Sequence, residues 1–199
     1  LTIGSLIEHA ARFHTNGQIV SVETTGGVEH STWGQVGTNA RRLASALRKL
    51  GLEQGTRCGT IAWNNRRHLE IYFGVAGGGF VCHTINPRMG PEQMVYVINH
   101  AEDQVLFIDQ TFVPAAGKLA PALKHCKHIV MMGPRDEAAA EQVFRVRAAP
   151  AGAAADTRFT EPVVPGTLVG IREHVVGSCD LLELLRRGFI ARVGIGVEL

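Results

Sequence analysis

The side chains best placed to do chemistry sit close together at His83, Thr84, Asn86 and Arg88, inside the run GVAGGGFVCHTINPR at residues 74–88. An imidazole, a hydroxyl, an amide and a guanidinium offer donors, acceptors and positive charge to a small polar ligand. They fall at the C-terminal end of a candidate strand, and ligand sites in open α/β sheets lie beyond the carboxyl ends of strands. The same residues also read structurally, with Asn86-Pro87 making a turn and His83 a satisfied, half-buried histidine. Gly77, Gly78 and Gly79, just before them, invite a phosphate cradle. Such a cradle runs strand, glycine turn, helix N-terminus, so that amides and dipole meet the phosphate. Here the helix comes first and the strand follows, so the glycines read as a helix stop.

Other reactive groups carry less. His125, Cys126 and His128 bring nitrogen and sulfur together, without a second ligand pair at zinc-site spacing. No G-x-S-x-G elbow supports a serine hydrolase. Asp109 and the pair Glu102-Asp103 are placed to cap or border helices rather than to act as paired acids. No catalytic residue and no metal site is assigned.

The elements around these residues follow from periodicity. Ile3, Leu6, Ile7, Ala10 and Phe13 share one face of an opening helix over residues 2–14. Ile19–Glu23 and Val28–Trp33 form a hairpin across Thr24-Thr25-Gly26-Gly27. Thr32, with Gln35 three residues on, marks a capping box, and the helix it starts runs to a glycine stop at Gly51. The chain then alternates: strand Arg57–Ala62, helix Asn64–Val75, strand Phe80–Ile85, helix Pro91–His100, strand Val105–Ile108, helix Thr111–His125, strand His128–Met132. Asn64 is read as the cap of the second of these helices, with Leu69, Tyr72, Phe73 and Ala76 on its buried face, and Phe80–Ile85 as a buried strand. Pro121 should kink or split the last helix. The fold class is therefore α/β: an N-terminal hairpin and helices, then alternating β/α units forming part of a mostly parallel sheet.

Composition bounds the class. The 199 residues are 45% hydrophobic and 19% charged, ordinary for a globular protein, and the net charge of +2 is scattered without a basic stripe for nucleic acid. No apolar run approaches the roughly 18 residues that span a membrane. Glu8, His9 and Arg12 interrupt any apolar leader, so the expected location is cytoplasmic. Cys58, Cys82, Cys126 and Cys179 lie far apart with no C-x-x-C pair and read as reduced thiols. The first residue is Leu1 rather than Met, which points to a processed chain or a piece of something longer.

From about Ala138 the character changes. Ala, Gly, Val, Arg and Pro make up more than half of residues 139–199, and Lys, Asn, Tyr and Trp do not occur there. Asp180–Arg187 could form two helical turns, but no periodic partner surrounds it. The domain reading is a folded portion at 1–137 and an irregular tail at 138–199. Ala, Gly, Val and Pro use only codons beginning with G or C, so this composition also fits a GC-rich gene read out of frame; an alanine-rich linker would look similar.

Residues 2 to about 137 resemble the N-terminal part of adenylate-forming acyl-CoA synthetases, the AMP-binding superfamily that includes fatty-acid and methylmercaptopropionate CoA ligases. The resemblance is carried by STWGQV at 31–36 followed by RRLASALRKLGLEQG, then IAWNNRRHLEIYFGVAGGGFVCHTINPRM, then EQMVYVINHAEDQVLFID, in matching order and spacing. It implies activation of a carboxylic or fatty acid by ATP to an acyl-adenylate, then displacement of AMP by CoA sulfur, with magnesium as the metal. It also implies that His83, Thr84, Asn86 and Arg88 lie near the acyl or adenylate pocket. The family's Ser/Thr/Gly-rich phosphate loop ending in Pro-Lys-Gly is absent from this sequence, and the nearest candidate, PGTLVG at 165–170, has no Lys. The family's later ribose-binding acid, hinge and catalytic lysine are missing too. The expectation is a truncated member, inactive and needing no cofactor alone, where the intact enzyme uses ATP, magnesium and CoA. The alternative is a non-catalytic binding or assembly module of the same fold. Exposed sheet edges would favour self-association or pairing with a full-length homologue.

Overall fold

The computed structural model describes residues 2–24 and 26–133, and the backbone of 191–194. The Asp180–Arg187 helix and most of the expected tail lie outside the described residues.

Helix α1 (Ile3–Phe13) starts at Thr2, whose hydroxyl accepts from the Ser5 N–H at 3.2 Å. Strands β1 (Gln18–Val22) and β2 (Val28–Thr32) form the expected antiparallel hairpin, with Val22 opposite Val28. Helix α2 (Trp33–Lys49) carries the capping box that the spacing predicts: Thr32 Oγ1 accepts from Gln35 N at 3.3 Å, and Gln35 Oε1 accepts from Thr32 N at 2.9 Å. Two orphan amides are thereby satisfied. Then follow β3 (Arg57–Ile61), α3 (Arg66–Gly77), β4 (Val81–Ile85), α4 (Pro91–Ala101), β5 (Val105–Asp109), α5 (Val113–Leu119) and β6 (His128–Met132). Single 3₁₀ turns flank α5, and the second holds Pro121, so the long helix expected there ends early.

Strands β3 to β6 form one parallel sheet in the order β4-β3-β5-β6, and β7 (Ala191–Gly194) pairs antiparallel with β6. Alternation along the strands gives the sheet two apolar faces. Ile61, Ile85, Leu106, Ile108, Ile129 and Met131 pack with Met94 and Ile98 of α4 and with Val113, Ala116 and Leu119 of α5. Cys58, Val105, Phe107, Val130 and Met132 pack with Leu43 and Leu47 of α2 and with Ile71 and Val75 of α3. β5 is buried at all five positions, as a central parallel strand covered on both faces must be.

Three sequence expectations are corrected. The cap of α3 is Asn65, not Asn64; its side chain accepts from His68 N at 3.0 Å. The buried face of α3 is not the Leu69, Tyr72, Phe73, Ala76 stripe. Ile71, Gly74 and Val75 are buried together with the polar Arg66, His68 and Glu70, while Tyr72 is 45% exposed. Apolar spacing missed this because α3 lies between the sheet, α2 and the hairpin, and part of what it buries is paired charge. Finally, β4 is not a buried strand; it is the sheet edge opposite β7, with Val81 and Thr84 exposed.

The paired charge ties the N-terminal hairpin to α2 and α3. Arg66, at 7% side-chain exposure, reaches Glu70 at 2.7 Å and Glu29 of β2 at 2.8 Å. Asn39 of α2 donates to the same Glu70 oxygen at 2.8 Å, and Ser21 of β1 accepts from Arg66 N at 2.8 Å. Arg67 pairs with Glu23 beside it. Burial still pushes the Glu70 carboxyl up, with Arg66 opposing, and Glu70 Oε2 has no hydrogen-bond partner among the described residues. Removing one member leaves an uncompensated buried charge. Arg66→Met is accordingly expected to cost about 3–5 kcal/mol in urea unfolding, and the double change Arg66→Met with Glu70→Leu to recover much of it. A loss under about 1 kcal/mol for Arg66→Met would contradict this assignment.

Candidate functional site at the carboxyl ends of the sheet

The strand order places a topological switch point between β3 and β5. These neighbours are parallel, yet β3 leads into α3 on one face of the sheet and β5 leads towards α5 on the other. The two loops diverge, and the crevice between them, outside the carboxyl ends of the strands, is where open α/β sheets bind ligands.

The residues on the two loops that flank this switch point are polar and aromatic. From the β3 side come Trp63 and Asn65, with His68 on the first turn of α3. From the β5 side come Asp109, Thr111 and Phe112. Asn65 Nδ2 donates to Asp109 Oδ2 at 3.4 Å, and Asp109 Oδ1 accepts from the backbone and the hydroxyl of Thr111, both at 3.1 Å. Trp63 Nε1 donates to Thr111 Oγ1 at 3.0 Å, closing the crevice across the switch point. Deeper, Thr60 Oγ1 and His68 Nε2 lie within hydrogen-bond distance at 3.1 Å. Burial pushes His68 below the usual histidine range, with Asp109 opposing, so at neutral pH its imidazole is uncharged.

The sequence candidates reach this edge only in part. Arg88 does: its guanidinium lies 5.9 Å from the centre of the Trp63 ring, and its backbone N–H is held by Asn86 Oδ1 at 3.0 Å. Asn86 therefore makes the expected turn. Thr84 is exposed on the edge strand and on the opposite face from His83. His83 sits mid-strand, level with Gly59 and Leu106, and its Nδ1 hydrogen-bonds to Asp103 Oδ2 at 2.7 Å. The half-buried, satisfied histidine is thus what the structure contains. Trp63, Asn65, His68 and Thr111 were not singled out from the sequence. Their signal was position, since each follows closely on a predicted strand.

Two further groups are structural. Asp103 precedes β5 and reaches across β3 to His83 on β4, which is open only because residue 59 is glycine: a Cβ there would lie 2.8 Å from Asp103 Oδ2. Cys58 and Cys82 are register partners on adjacent strands, and burial pushes their thiols up to about 12 and about 11, so neither supplies a thiolate near neutrality. A cleft of about 620 Å³ lies elsewhere, between α1, β2 and α2, where Glu29, Asn39 and Arg66 of the buried network form part of its wall.

Fold and crevice together define an α/β protein that places polar and aromatic groups at the carboxyl edge of a parallel sheet. The family model described as AMP-binding enzyme matches residues 7–169. The chain belongs to this AMP-binding enzyme family. It is 59% identical over 143 residues to a 3-methylmercaptopropionyl-CoA ligase of Ruegeria lacuscaerulensis, covering 72% of this chain and 26% of that one. It is 53% identical over 143 residues to a medium-chain-fatty-acid–CoA ligase of Ectopseudomonas oleovorans, with the same coverage of 72% and 26%. The fold is shared with an anthranilate CoA ligase crystallised with anthranoyl-AMP, at TM-score 0.60 and 21% identity, over 66% of this chain and 25% of that one. The chain therefore spans about a quarter of the length of the curated relatives it matches.

The Asp103 bridge yields a pH test. Burial raises the Asp103 carboxyl above its ordinary value, against the opposing effect of His83. A raised folded pKa contributes stability that is fully present below the unfolded value and is lost as pH rises through the folded one. Asp103→Asn keeps an acceptor for His83 and removes the titration. The stability of the variant relative to the parent should therefore increase from acid towards neutral pH in urea unfolding; curves that stay parallel would refute the shift.

Proposed function

We propose that the chain is the N-terminal part of an ATP-dependent acid–thiol ligase, one that activates a carboxylic acid as an acyl-adenylate and passes the acyl group to CoA. The observation that carries this reading is the identity of 59% over 143 residues to a 3-methylmercaptopropionyl-CoA ligase. The medium-chain relative widens the substrate class to small thioether acids and fatty acids. In this reading Arg88, Asn86 and the Trp63–Thr111 crevice border the pocket for the activated acid, while His83 and Thr84 stiffen the strand that leads to it.

The chemistry divides between these residues and others. A carboxylate is a poor electrophile, and adenylation supplies a leaving group only where charge on the polyphosphate is neutralised. Among the described residues no three His, Cys, Asp or Glu side chains gather as ligands for a cation. The sequence also holds no Pro-Lys-Gly loop. In this reading the described residues hold neither magnesium nor the triphosphate on their own. What they supply is a rigid sheet edge and one guanidinium for an anionic group. We accordingly propose residues 1–137 as the ligase portion and 138–199 as a tail from which, among the described residues, only β7 joins the sheet, with the chain inactive alone. Among the described residues no helix is long and apolar enough to cross a membrane, and we place the protein in the cytoplasm.

A second reading is a non-catalytic assembly module. It is favoured by the outer face of the hairpin, where Val20, Val22 and Val28 are 60%, 71% and 59% exposed, next to no other described element that covers them. Such a face fits self-association or pairing with a full-length homologue.

ATP–pyrophosphate exchange separates the readings. The purified chain, given 3-methylmercaptopropionate or octanoate, should show no exchange above background, and robust exchange with either acid would overturn the proposed incompetence. A stable one-to-one complex with an intact ligase on a sizing column would instead favour the assembly module. For the tail, reading the gene in every forward frame across the codons for residues 130–199 and beyond should restore a Ser/Thr/Gly-rich loop ending in Pro-Lys-Gly. If no frame does, the tail belongs to the protein.

A further inference from the structure

Trp63 is held more firmly than an exposed rim residue needs to be. It is 36% exposed, yet its indole N–H is engaged by Thr111 at 3.0 Å. Thr111 is in turn fixed by two hydrogen bonds to the fully buried Asp109, both at 3.1 Å. Phe112 lies beside the indole with ring centres 5.1 Å apart. Three groups from the β5 side thus orient a side chain that belongs to the β3 side. The guanidinium of Arg88, from beyond β4, then lies over that ring at 5.9 Å. Arg88 is exposed and its guanidinium has no carboxylate partner among the described residues. The ends of three strands therefore converge on one guanidinium that makes no hydrogen bond to the described residues.

We propose that Trp63 is a positioning residue: its indole holds the Arg88 guanidinium by a cation–π contact so that the N–H fork meets an anionic group of the bound substrate. This rests on the reading of Arg88 as part of the substrate pocket. A planar guanidinium pairs with carboxylate and phosphate through parallel N–H donors, and the pairing is best when the fork is oriented beforehand. An aromatic face supplies that orientation without competing for the donors. The relay runs from Asp109 through Thr111 and Trp63 to Arg88, so the central strand of the sheet sets the direction of a group on the loop after β4.

The test uses the full 199-residue chain. In ¹⁵N-resolved NMR the Arg88 Nε–H signal should carry a ring-current shift that Trp63→Leu abolishes and Trp63→Phe retains. The chain is then titrated separately with ATP, CoA and octanoate, which distinguishes a nucleotide phosphate, a CoA phosphate and a carboxylate as the anion. For whichever binds, Arg88→Ala should weaken affinity about tenfold, Trp63→Leu about threefold to fivefold, and Trp63→Phe little, with unfolding midpoints of the Trp63 variants close to the parent. If none of the three binds, or if Arg88→Ala changes no affinity, the pocket reading fails and this inference with it. If Arg88→Ala weakens binding while Trp63→Leu neither moves the Arg88 signal nor weakens binding, the pocket reading stands and the positioning role is overturned.

Discussion

A buried polar network that ties Arg66 and Glu70 of α3 to Glu29 of β2 and Asn39 of α2 decides where α3 sits, and much else follows from that helix. Arg66 joins α3 to Glu29 of the hairpin, while Asn39 of α2 joins Glu70 from the other side. Buried charges of this kind are costly unless fully paired, so they tolerate few alternative packings. The register of α3 fixes its cap, Asn65, and the turn that carries Trp63 out of β3. The same helix closes one face of the sheet over Phe107 and Val130, leaving α4 and α5 to close the other. The divergence of the loops after β3 and β5, and with it the crevice, is a consequence of that division.

Much of this was legible before any coordinates. The capping box at Thr32 and Gln35, the glycine stops, the helix starting at Pro91 and the strand His128–Met132 all rest on local chemistry, and local chemistry survives tertiary context. What was not legible depends on neighbours. The polar face of α3 reads as solvent-exposed until Glu29 and Asn39 are known to meet it. Phe80–Ile85 reads as buried because apolar, β-branched strands usually are, whereas strand order makes β4 an edge. Strand order also moves the centre of the site. The sequence draws attention to His83, Thr84, Asn86 and Arg88 after one strand, but a switch point is a property of two strands, and the partner residues Trp63 and Thr111 lie 48 positions apart. His83 was drawn away from the edge by Asp103, through a gap that only Gly59 leaves open.

The family assignment and the crevice rest on separate observations. Membership of the AMP-binding enzymes rests on the match to residues 7–169, and the proposed reaction rests on that membership together with the ligase relatives. The crevice is argued from strand order and hydrogen bonds alone. In the proposed reading the described residues contribute a sheet edge and the Arg88 guanidinium; neutralising a polyphosphate needs more than that, so the chain is read as part of a ligase rather than the whole.

The most direct test of this account is a graft. The 143 residues that match the Ruegeria lacuscaerulensis ligase would replace the corresponding segment of that enzyme, and thioester formation from 3-methylmercaptopropionate, ATP and CoA would be followed. The account predicts a folded chimera working within about tenfold of its parent, because the grafted frame and Arg88 supply what the native segment does. A chimera that folds, binds ATP and forms neither adenylate nor thioester would contradict it.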